Sequence, residues 1–385
     1  MTYQRLGDYI REVNVRNREL KVTKLVGLTI DKAFIPSVAN VIGTDLSNYK
    51  VIRKEQFACS LMQVSRDGKM PVAMFEEDEA IMSPAYPMFE VIDKTVLMPQ
   101  YLMMWFSRSE FDREASYYAV GGVRGSLTWE DFCNMKLPIP SITRQREIVS
   151  EYETLANRIR LNNQMIQNLE ATAQALYRKT FVDDIDKENL PEGWRKGTLG
   201  DLCNISSSRR IFESEYCENG IPFYRGKEIT QKRKGEQITD LIYISRKRYN
   251  ELVRNYGKPK CGDILLTAVG TIGNSYMVQD EEFYFKDGNL VWFHDFSSIG
   301  VNYYIYEYMQ SKSFNKIIAE TAIGSTQKAL TIQSLLFLDI IVPSSTALRE
   351  FANLIYVIYK NTQIKKQENE KLTELQSLLL AKMGQ

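Results

Sequence analysis

Basic and aromatic side chains are interleaved in segment 207–260. The segment holds 13 basic and 7 acidic residues, although the whole chain is nearly balanced at 49 basic and 48 acidic. Guanidinium groups beside aromatic rings suit contacts with phosphates and with base edges. The pattern predicts a nucleic-acid contact, and a solvated charged face is the alternative explanation. The predicted contacts in this segment are Arg209, Arg210, Arg225, Lys227, Lys232 and Arg233.

Loops of small residues supply further cations. One loop, Gly121-Gly122-Val123-Arg124-Gly125, stands at the same place in the first half as Gly324-Ser325-Thr326-Gln327-Lys328 in the second. A loop of this kind lets a backbone approach a nucleic-acid strand closely. We therefore predict contacts at Arg124 and Lys328, and also at Arg66 and Lys69 in an earlier glycine-containing turn. A plain linker explains the two matching loops equally well.

Side chains suited to catalysis or to metal binding are sparse. His294 is the only histidine, which leaves no His-based metal cluster, and its run NLVWFHDF favours a packed or edge residue over a general base. The five cysteines are never spaced as a metal pair, and no GxxxxGK[ST] loop is present. The sequence predicts a protein that is not an enzyme, with no metal and no cofactor in this chain.

Composition also indicates where the protein acts. The odd number of scattered cysteines favours free thiols in a reducing compartment, and the chain begins without a signal peptide. The longest apolar stretch, 335–342, is interrupted by Asp339 and is too short to cross a bilayer. We expect a cytoplasmic protein with no membrane contact.

The two halves of the chain end in the same way. Residues 126–181 align without a gap on residues 329–384, which places Leu127-Thr128 on Leu330-Thr331. A weaker match opens each half, with Leu-Gly-Asp beginning at position 6 and again at position 199. Such a repeat predicts two copies of one structural plan, each a globular module followed by a long helix.

Apolar residues after Pro140 recur at alternating spacings of four and three, which is the heptad pattern of a coiled coil. The second copy has an equivalent seam that is apolar at its ends and polar in the middle. The predicted seam of the first helix is Ile148, Tyr152, Leu155, Ile159, Asn162, Ile166, Leu169, Ala173 and Leu176. That of the second is Phe351, Ile355, Ile358, Thr362, Lys365, Asn369, Leu372, Gln376 and Leu379.

Each helix needs a partner, and the other helix is the simplest one. Spacing alone leaves parallel and antiparallel pairing open. Asn162 and Lys365 lie at the seam centres, so antiparallel pairing would gather the polar residues in one layer that fixes the register. The alternative is that a partner protein covers these positions. Residues 144–181 would form a rod of roughly 57 Å at ~1.5 Å per residue, and such a device sets a distance between two modules.

The modules themselves have mixed α/β (α+β) content. Strand composition marks Asp263–Thr267, Ser275–Val278 and Leu290–Phe293, helical composition marks Tyr303–Thr321, and a loop is expected over Ala115–Gly125 and its counterpart. The boundaries that we predict are a first module at 1–140, a coiled-coil helix at 141–185, a second module at 190–343 and a second helix at 344–385.

This tandem arrangement closely resembles the specificity subunit of type I restriction–modification enzymes. The resemblance covers essentially the whole chain and is strongest in the second module. The first module departs from it, because Glu55-Gln56-Phe57 stands where Gly262-Asp263-Ile264 stands in the second. The matching motifs are Leu199-Gly200-Asp201, Ile221-Pro222-Phe223-Tyr224-Arg225-Gly226, Gly262-Asp263-Ile264-Leu265, Gly324-Ser325-Thr326-Gln327-Lys328-Ala329-Leu330-Thr331 and Ile341-Val342-Pro343.

The resemblance implies that each module is a target recognition domain for one half of a bipartite site in double-stranded DNA. It implies that the helices pair antiparallel with pseudo-two-fold symmetry, set the spacer and dock two methyltransferase subunits, through which restriction subunits join. S-adenosylmethionine, ATP and magnesium would then belong to those partners. The competing hypothesis is a non-catalytic two-module protein scaffold that does not bind DNA.

Overall fold

A computed structural model of the chain describes residues 3–37, 43–62, 64–120, 125–236, 238, 240–321 and 330–384. The chain divides into two compact units. The first comprises Met1–Arg160 with Lys371–Gln385, and the second comprises Leu161–Glu370. Each long helix therefore contributes one part to each unit. None of the described helices is long and apolar enough to cross a membrane.

The described residues of the first unit form ten short strands and four short helices, together with the start of one long helix. The strands are β1 (Tyr3–Arg5), β2 (Ile10–Glu12), β3 (Val26–Leu28), β4 (Phe34–Pro36), β5 (Lys50–Arg53), β6 (Phe57–Cys59), β7 (Val72–Met74), β8 (Glu79–Met82), β9 (Met88–Val91) and β10 (Lys136–Pro138). The helices are α1 (Val64–Asp67), α2 (Pro99–Phe106), α3 (Ser109–Ala119), α4 (Trp129–Asn134) and α5 (Ile142–Phe181), of which α5 continues into the second unit.

A four-stranded antiparallel sheet with the order β2-β9-β6-β7 organises the first unit. Its buried face packs against α2, α3 and α4 through an aromatic cluster in which Phe89 lies 5.0 Å from Phe57 and 5.5 Å from Phe132 between ring centroids. The pairs β3-β4, β5-β8 and β1-β10 complete the described strands.

The described residues of the second unit also form ten strands, some of which belong to a second four-stranded sheet. Its strands are β11 (Arg195–Thr198), β12 (Asn204–Ser206), β13 (Tyr216–Cys217), β14 (Ile221–Tyr224), β15 (Ile242–Ile244), β16 (Ile264–Thr267), β17 (Ser275–Met277), β18 (Tyr284–Phe285), β19 (Leu290–His294) and β20 (Asp339–Val342). Its helices are α6 (Gly226–Lys234), α7 (Arg246–Tyr256), α8 (Val301–Gln310), α9 (Lys312–Thr321), α10 (Ile332–Leu336) and α11 (Ser345–Lys382), of which α11 ends in the first unit.

The main sheet of the second unit has the order β12-β19-β16-β17, which is the same topology as β2-β9-β6-β7. The antiparallel pair β11-β20 likewise matches β1-β10. A second four-stranded sheet, β13-β15-β14-β18, has no four-stranded equivalent among the described residues of the first unit. Both modules therefore have the predicted mixed α/β content, and the strands expected from composition are present as β16, β17 and β19.

The repeated Leu-Gly-Asp motif forms a 3₁₀ turn in both units. A Cβ added to Gly7 would lie 2.9 Å from the Cβ of Cys133, and one added to Gly200 would lie 3.1 Å from the carbonyl oxygen of Leu336. Glycine is therefore needed at this position because the turn packs directly against the short helix that precedes each long helix.

The threonine of the repeated Leu-Thr motif caps a short helix in both units. The Thr128 hydroxyl accepts a hydrogen bond from the amide of Asp131, and the Thr331 hydroxyl accepts one from the amide of Ser334, both at 3.0 Å. These bonds cap the first turns of α4 and α10.

The loop expected over Ala115–Gly125 is wrong for its first part, because α3 continues to Ala119. Phe111, Ala115 and Ala119 recur every four residues and are all buried, so one face of the helix packs on the core. In the second unit, the helix expected over Tyr303–Thr321 is broken into α8 and α9 at Ser311.

The predicted long helices are present as α5 and α11, and every predicted seam residue is buried or half-buried. In the second unit the two helical segments run antiparallel, because residues later in α5 meet residues earlier in α11. The successive contacts are Asn162 with Asn369, Glu170 with Lys366, and Phe181 with Phe351. In the first unit, Val149 of α5 and Met383 of α11 join one apolar cluster.

The seam contains a polar layer, as predicted, but the layer is formed by Asn162, Asn163 and Asn369 and not by Asn162 with Lys365. Asn162 is buried and donates to the side-chain oxygen of Asn369 at 2.9 Å, and Asn369 donates to Asn163 at 2.8 Å. Lys365 instead pairs with Glu368 one turn along its own helix at 2.8 Å. A lysine has no acceptor to offer, whereas two amides satisfy each other.

Candidate nucleic-acid interface

A cleft of about 660 Å³ opens in the second unit where β12 and β19 end beside the segment that follows α7. Strand pairing sets its floor, because Ser206 lies opposite Trp292 and Asn204 opposite His294. The lining residues are Ile205, Ser206, Ser207, Ser208, Arg209, Tyr256, Gly257, Lys258, Lys260, Asp263, Trp292, His294, Asp295 and Ile332.

Three cations line this cleft. The guanidinium of Arg209 lies over the ring of Tyr256 at 4.5 Å from its centroid, and both side chains are exposed. Lys258 and Lys260 are also exposed. Stacking fixes the plane of the guanidinium while leaving its donors available to a ligand. The cleft thus combines positive charge with an exposed aromatic face, which is the combination that nucleic acids bind.

A ring stack and hydrogen bonds hold the floor of the cleft together. The ring of Trp292 stacks on that of His294 with centroids 4.0 Å apart, and the indole N–H donates to Asp263 at 2.9 Å. Burial raises the pKa of the Asp263 carboxyl, against the opposing effect of hydrogen bonds from Trp292 and from the amide of Lys260. These bonds hold the turn that carries Lys260 at the edge of the cleft.

The structure brings together a polar constellation that the sequence analysis did not anticipate. The Ser206 hydroxyl lies 2.9 Å from Nε2 of His294, and Nδ1 of His294 lies 2.8 Å from a carboxylate oxygen of Asp295. The order matches that of a Ser-His-Asp triad, in which the acid is buried. Here the Asp295 side chain is 60% exposed, so water screens its charge and weakens its effect on the imidazole. As expected, His294 is a packed residue: it is the last residue of β19, an inner strand of the main sheet, and it stacks on Trp292.

Three of the predicted DNA contacts are instead engaged inside the second unit. Arg225 forms a 2.6 Å ion pair with the fully buried carboxylate of Glu228, and Lys232 pairs with Glu281. Arg233 donates to the carbonyl of Gly273 and to Gln310. Breaking a buried pair is costly, so these three side chains hold α6 against its neighbours in the described structure.

Two other predicted contacts are exposed and weakly held. Arg210 lies 3.3 Å from Asp287, and Lys227 lies 3.4 Å from Asp240. Ion pairs at such exposed positions contribute at most about 1 kcal/mol, so a phosphate can replace the carboxylate at little cost.

The first unit gathers fewer of the predicted cations. Arg66 pairs with its neighbour Asp67 at 2.6 Å, and Lys69 pairs with Asp31 at 3.3 Å, all on the surface of the unit. Arg124 and Lys328 lie outside the described residues. Within the described part of the chain, no group of His, Cys, Asp and Glu side chains is placed to hold a metal ion.

Among the lining residues of the cleft, the predicted set contained Arg209 alone and lacked, among others, Ser206, Tyr256, Lys258, Lys260, Trp292 and His294. Lys258 and Lys260 lie within the basic segment, and the run Gly257-Lys258-Pro259-Lys260 is a signal that was available in the sequence. Trp292 and His294 alternate on one face of β19, yet only the pairing of β19 with β12 brings them to the cleft.

Comparison with known proteins adds independent information. Residues 191–374 match the family model of the type I restriction modification DNA specificity domain. A Haemophilus influenzae protein assigned to the type I restriction enzyme specificity subunits is 28% identical over 193 residues, covering 50% of this chain and 48% of that protein. The MjaVIII specificity subunit of Methanocaldococcus jannaschii is 22% identical over 268 residues, covering 65% of this chain and 61% of that protein.

The chain thus spans about half the length of the first of these relatives and under two thirds of the second. The fold is also shared with a solved structure, the S subunit of a type I restriction–modification system from M. genitalium. The two superpose with a TM-score of 0.59 at 13% identity, with 100% of this chain and 96% of that chain covered.

Proposed function

We propose that the chain is a specificity subunit of a type I restriction–modification system and that it directs such a complex to a bipartite site in double-stranded DNA. The match over residues 191–374 to a DNA specificity domain carries the proposal. Its own role is non-catalytic recognition in the cytoplasm, and chemistry on DNA belongs to other subunits.

Each module reads one half of the site. The identical strand orders β2-β9-β6-β7 and β12-β19-β16-β17 support two recognition domains of one design. Their surfaces differ in sequence, so the two half-sites differ and the whole site has a direction. The paired helical segments of α5 and α11 fix the spacer between the half-sites.

In the second module, DNA lies across the cleft and its rim. Arg209, Lys258 and Lys260 contact phosphates there, and Arg210 and Lys227 join them by exchanging a weak surface ion pair for a phosphate. The exposed ring of Tyr256 supports this assignment, because it orients the Arg209 guanidinium and leaves its N–H donors accessible. Arg66 and Lys69, with Arg124, serve the first module, and Lys328 the second.

Two methyltransferase subunits dock on the long helices, and restriction subunits join through them. Exposed apolar residues beside the seam support this role. A groove of about 440 Å³ in the first unit is lined by Leu155, Leu375 and Leu378, and α11 exposes Leu354 and Val357 in the second. Contiguous apolar surface of this kind is typical of protein contacts. S-adenosylmethionine, ATP and magnesium bind to those partners.

Salt dependence of DNA binding tests the proposal against the scaffold hypothesis. The full chain, co-purified with its methyltransferase partner where needed, is titrated with a duplex at several salt concentrations. Phosphate contacts release counterions, so affinity falls steeply with salt. Replacing Arg209 and Lys260 together by alanine should lower the affinity about tenfold and reduce the salt slope by roughly 2.

The matched control removes the same charge elsewhere in the second unit. Lys196 and Lys316 are both exposed and lie outside the cleft lining, so the Lys196→Ala, Lys316→Ala double variant should keep the salt slope of the natural protein. A natural protein that binds duplexes weakly and independently of salt would contradict the DNA-binding proposal and favour the scaffold.

A further inference from the structure

The hydrogen-bond chain from Ser206 through His294 to Asp295 determines which way the serine hydroxyl points. A carboxylate only accepts hydrogen bonds, so Nδ1 of His294 carries the proton that is shared with Asp295 at 2.8 Å. Asn204 donates to the same carboxylate oxygen at 3.2 Å and holds it in place. In the neutral imidazole, Nε2 is then an acceptor, and the Ser206 hydroxyl must donate to it.

Protonation of the imidazole reverses that bond. Nε2 then carries a proton and donates to the Ser206 oxygen, which frees the serine hydroxyl to donate into the cleft. Histidine is the side chain whose charge ordinarily changes near neutral pH. An anion in the cleft would accept from the freed hydroxyl and would also be attracted to the imidazolium, so anion binding and proton uptake favour each other.

The charged groups around His294 favour an anion over a cation. Asp295 follows it on the same strand, and Asp263 precedes β16 and is already occupied by Trp292 and the amide of Lys260. Against these two carboxylates stand Arg209, Lys258 and Lys260, which line the same cleft. The remaining neighbours, Asn204 on β12 and Trp292 on β19, are uncharged.

We propose that this cleft is a proton-linked phosphodiester site, in which the Ser206 hydroxyl, Arg209 and Lys260 hold one DNA phosphate while His294 takes up a proton. The proposal rests on the DNA-binding function above and adds a ligand class and a donor to it. His294 orients Ser206 and is a positioning residue, whereas Ser206, Arg209 and Lys260 touch the ligand.

The pH dependence of duplex binding tests the proposal. A labelled 30-base-pair duplex is titrated with the full chain between pH 6 and pH 8 at constant salt, using a dye that does not titrate in this range. One charge-assisted hydrogen bond and one added charge should make binding about tenfold tighter at pH 6 than at pH 8. His294→Gln should abolish this change, whereas Ser206→Ala, which removes the hydroxyl donor and keeps the imidazole, should reduce it.

Two controls separate His294 from other causes. Ser208 neighbours Ser206 in the cleft, but its hydroxyl donates to the carbonyl of Phe285 at 2.6 Å, so Ser208→Ala should keep the tenfold change. Burial raises the pKa of the Glu307 carboxyl to about 7, which lies within the titrated range, and Glu307→Gln should also keep the change. A pH dependence that survives in His294→Gln but disappears in Glu307→Gln would overturn the proposal.

The same titrations separate this proposal from the function on which it rests. Binding that is steeply salt-dependent but independent of pH would refute the proton-linked site and leave DNA recognition standing. Absence of salt-dependent binding would refute DNA recognition itself. Inorganic phosphate is titrated alone as a further arm. Pronounced pH dependence for free phosphate, with none for the duplex, would assign the cleft to a free anion and overturn the proposal.

Discussion

The same turn precedes β6 in the first module and β16 in the second, the strands that stand third in the two sheet orders. The side chains around this turn differ between the modules. Glu55 and Gly262 both adopt positive φ there, at 65° and 89°. The next side chain, Gln56 or Asp263, accepts from the amide three residues earlier at 2.8 Å in both modules. The backbone plan is therefore retained even where the residues differ.

The side chains beyond that turn diverge. Strand register places Glu90 opposite Arg11 in the first module where His294 lies opposite Asn204 in the second. Burial alone would raise the pKa of the Glu90 carboxyl, but hydrogen bonds from Gln56 and Arg11 outweigh it and lower the pKa. Glu90 is therefore held in an ion pair with Arg11. The second module has the imidazole of His294 stacked on Trp292 in the cleft. The two modules therefore keep one framework and differ in their surfaces, as the proposed recognition of two different half-sites requires.

The largest predicted difference between the modules is the pH dependence of stability, and it arises from α8 in the second module and its counterpart α2 in the first. Glu307 on α8 is buried and accepts hydrogen bonds from Gln174 and Tyr359, whereas α2, with the sequence PQYLMMWF, contains no acid. Burial raises the pKa of Glu307 to about 7, so the folded state keeps a proton that the unfolded state releases. Stability should therefore fall by roughly 3 kcal/mol as pH rises from about 4.5 to 7.

Glu307→Gln should remove this decline, because the amide has no proton to lose. Chemical denaturation at pH 5 and pH 7.5, with hydrogen exchange to resolve the units, measures the effect. The decline should be confined to the second unit in the natural protein. An equal decline in the variant would contradict the assignment.

The next contrast tests the shared framework. Gly7→Ala and Gly200→Ala each force a Cβ against the neighbouring short helix, and each should destabilise its own unit by about 2 kcal/mol. Gly27 has no atom nearer than 4.0 Å to an added Cβ and does not have a positive φ, so Gly27→Ala is the matched control and should cost less than about 1 kcal/mol. Sensitivity at only one of the two motif glycines would break the equivalence of the modules.

The smallest expected effect comes from the helix caps. Thr128→Ala and Thr331→Ala each remove the hydrogen bond that caps a backbone amide in the first turn of a short helix, and each should cost about 1 kcal/mol. Serine keeps the hydroxyl, so Thr128→Ser and Thr331→Ser should recover most of that loss in thermal denaturation. Unequal losses at the two positions would show that the repeat has diverged in energetics as well as in sequence.

The sequence predicted the features that local patterns encode. The heptads of α5 and α11, the strands β16, β17 and β19, and the repeat itself are all visible as short-range periodicity or as direct identity. The break at Ser311 and the continuation of α3 to Ala119 were missed because packing on a core decides them.

The cleft was largely hidden for a different reason. Its floor depends on the pairing of β12 with β19, which joins residues about 90 positions apart such as Ser206 and His294. Charge alone also failed to distinguish the cations at the cleft from Arg225, Lys232 and Arg233, since only burial reveals that those three have internal partners. Composition located the basic segment, and the tertiary structure shows which of its cations line the cleft and which have internal partners.

The most direct test of the account is to map DNA modification by the chain co-expressed with its methyltransferase partner, before and after exchange of residues 190–343 for the matching segment of a relative. We predict two short half-sites around a fixed gap of unspecified bases, with only one half altered by the exchange. Modification that spreads over unrelated sequences, or an exchange that alters both halves together, would contradict the claim that each module reads its own half-site.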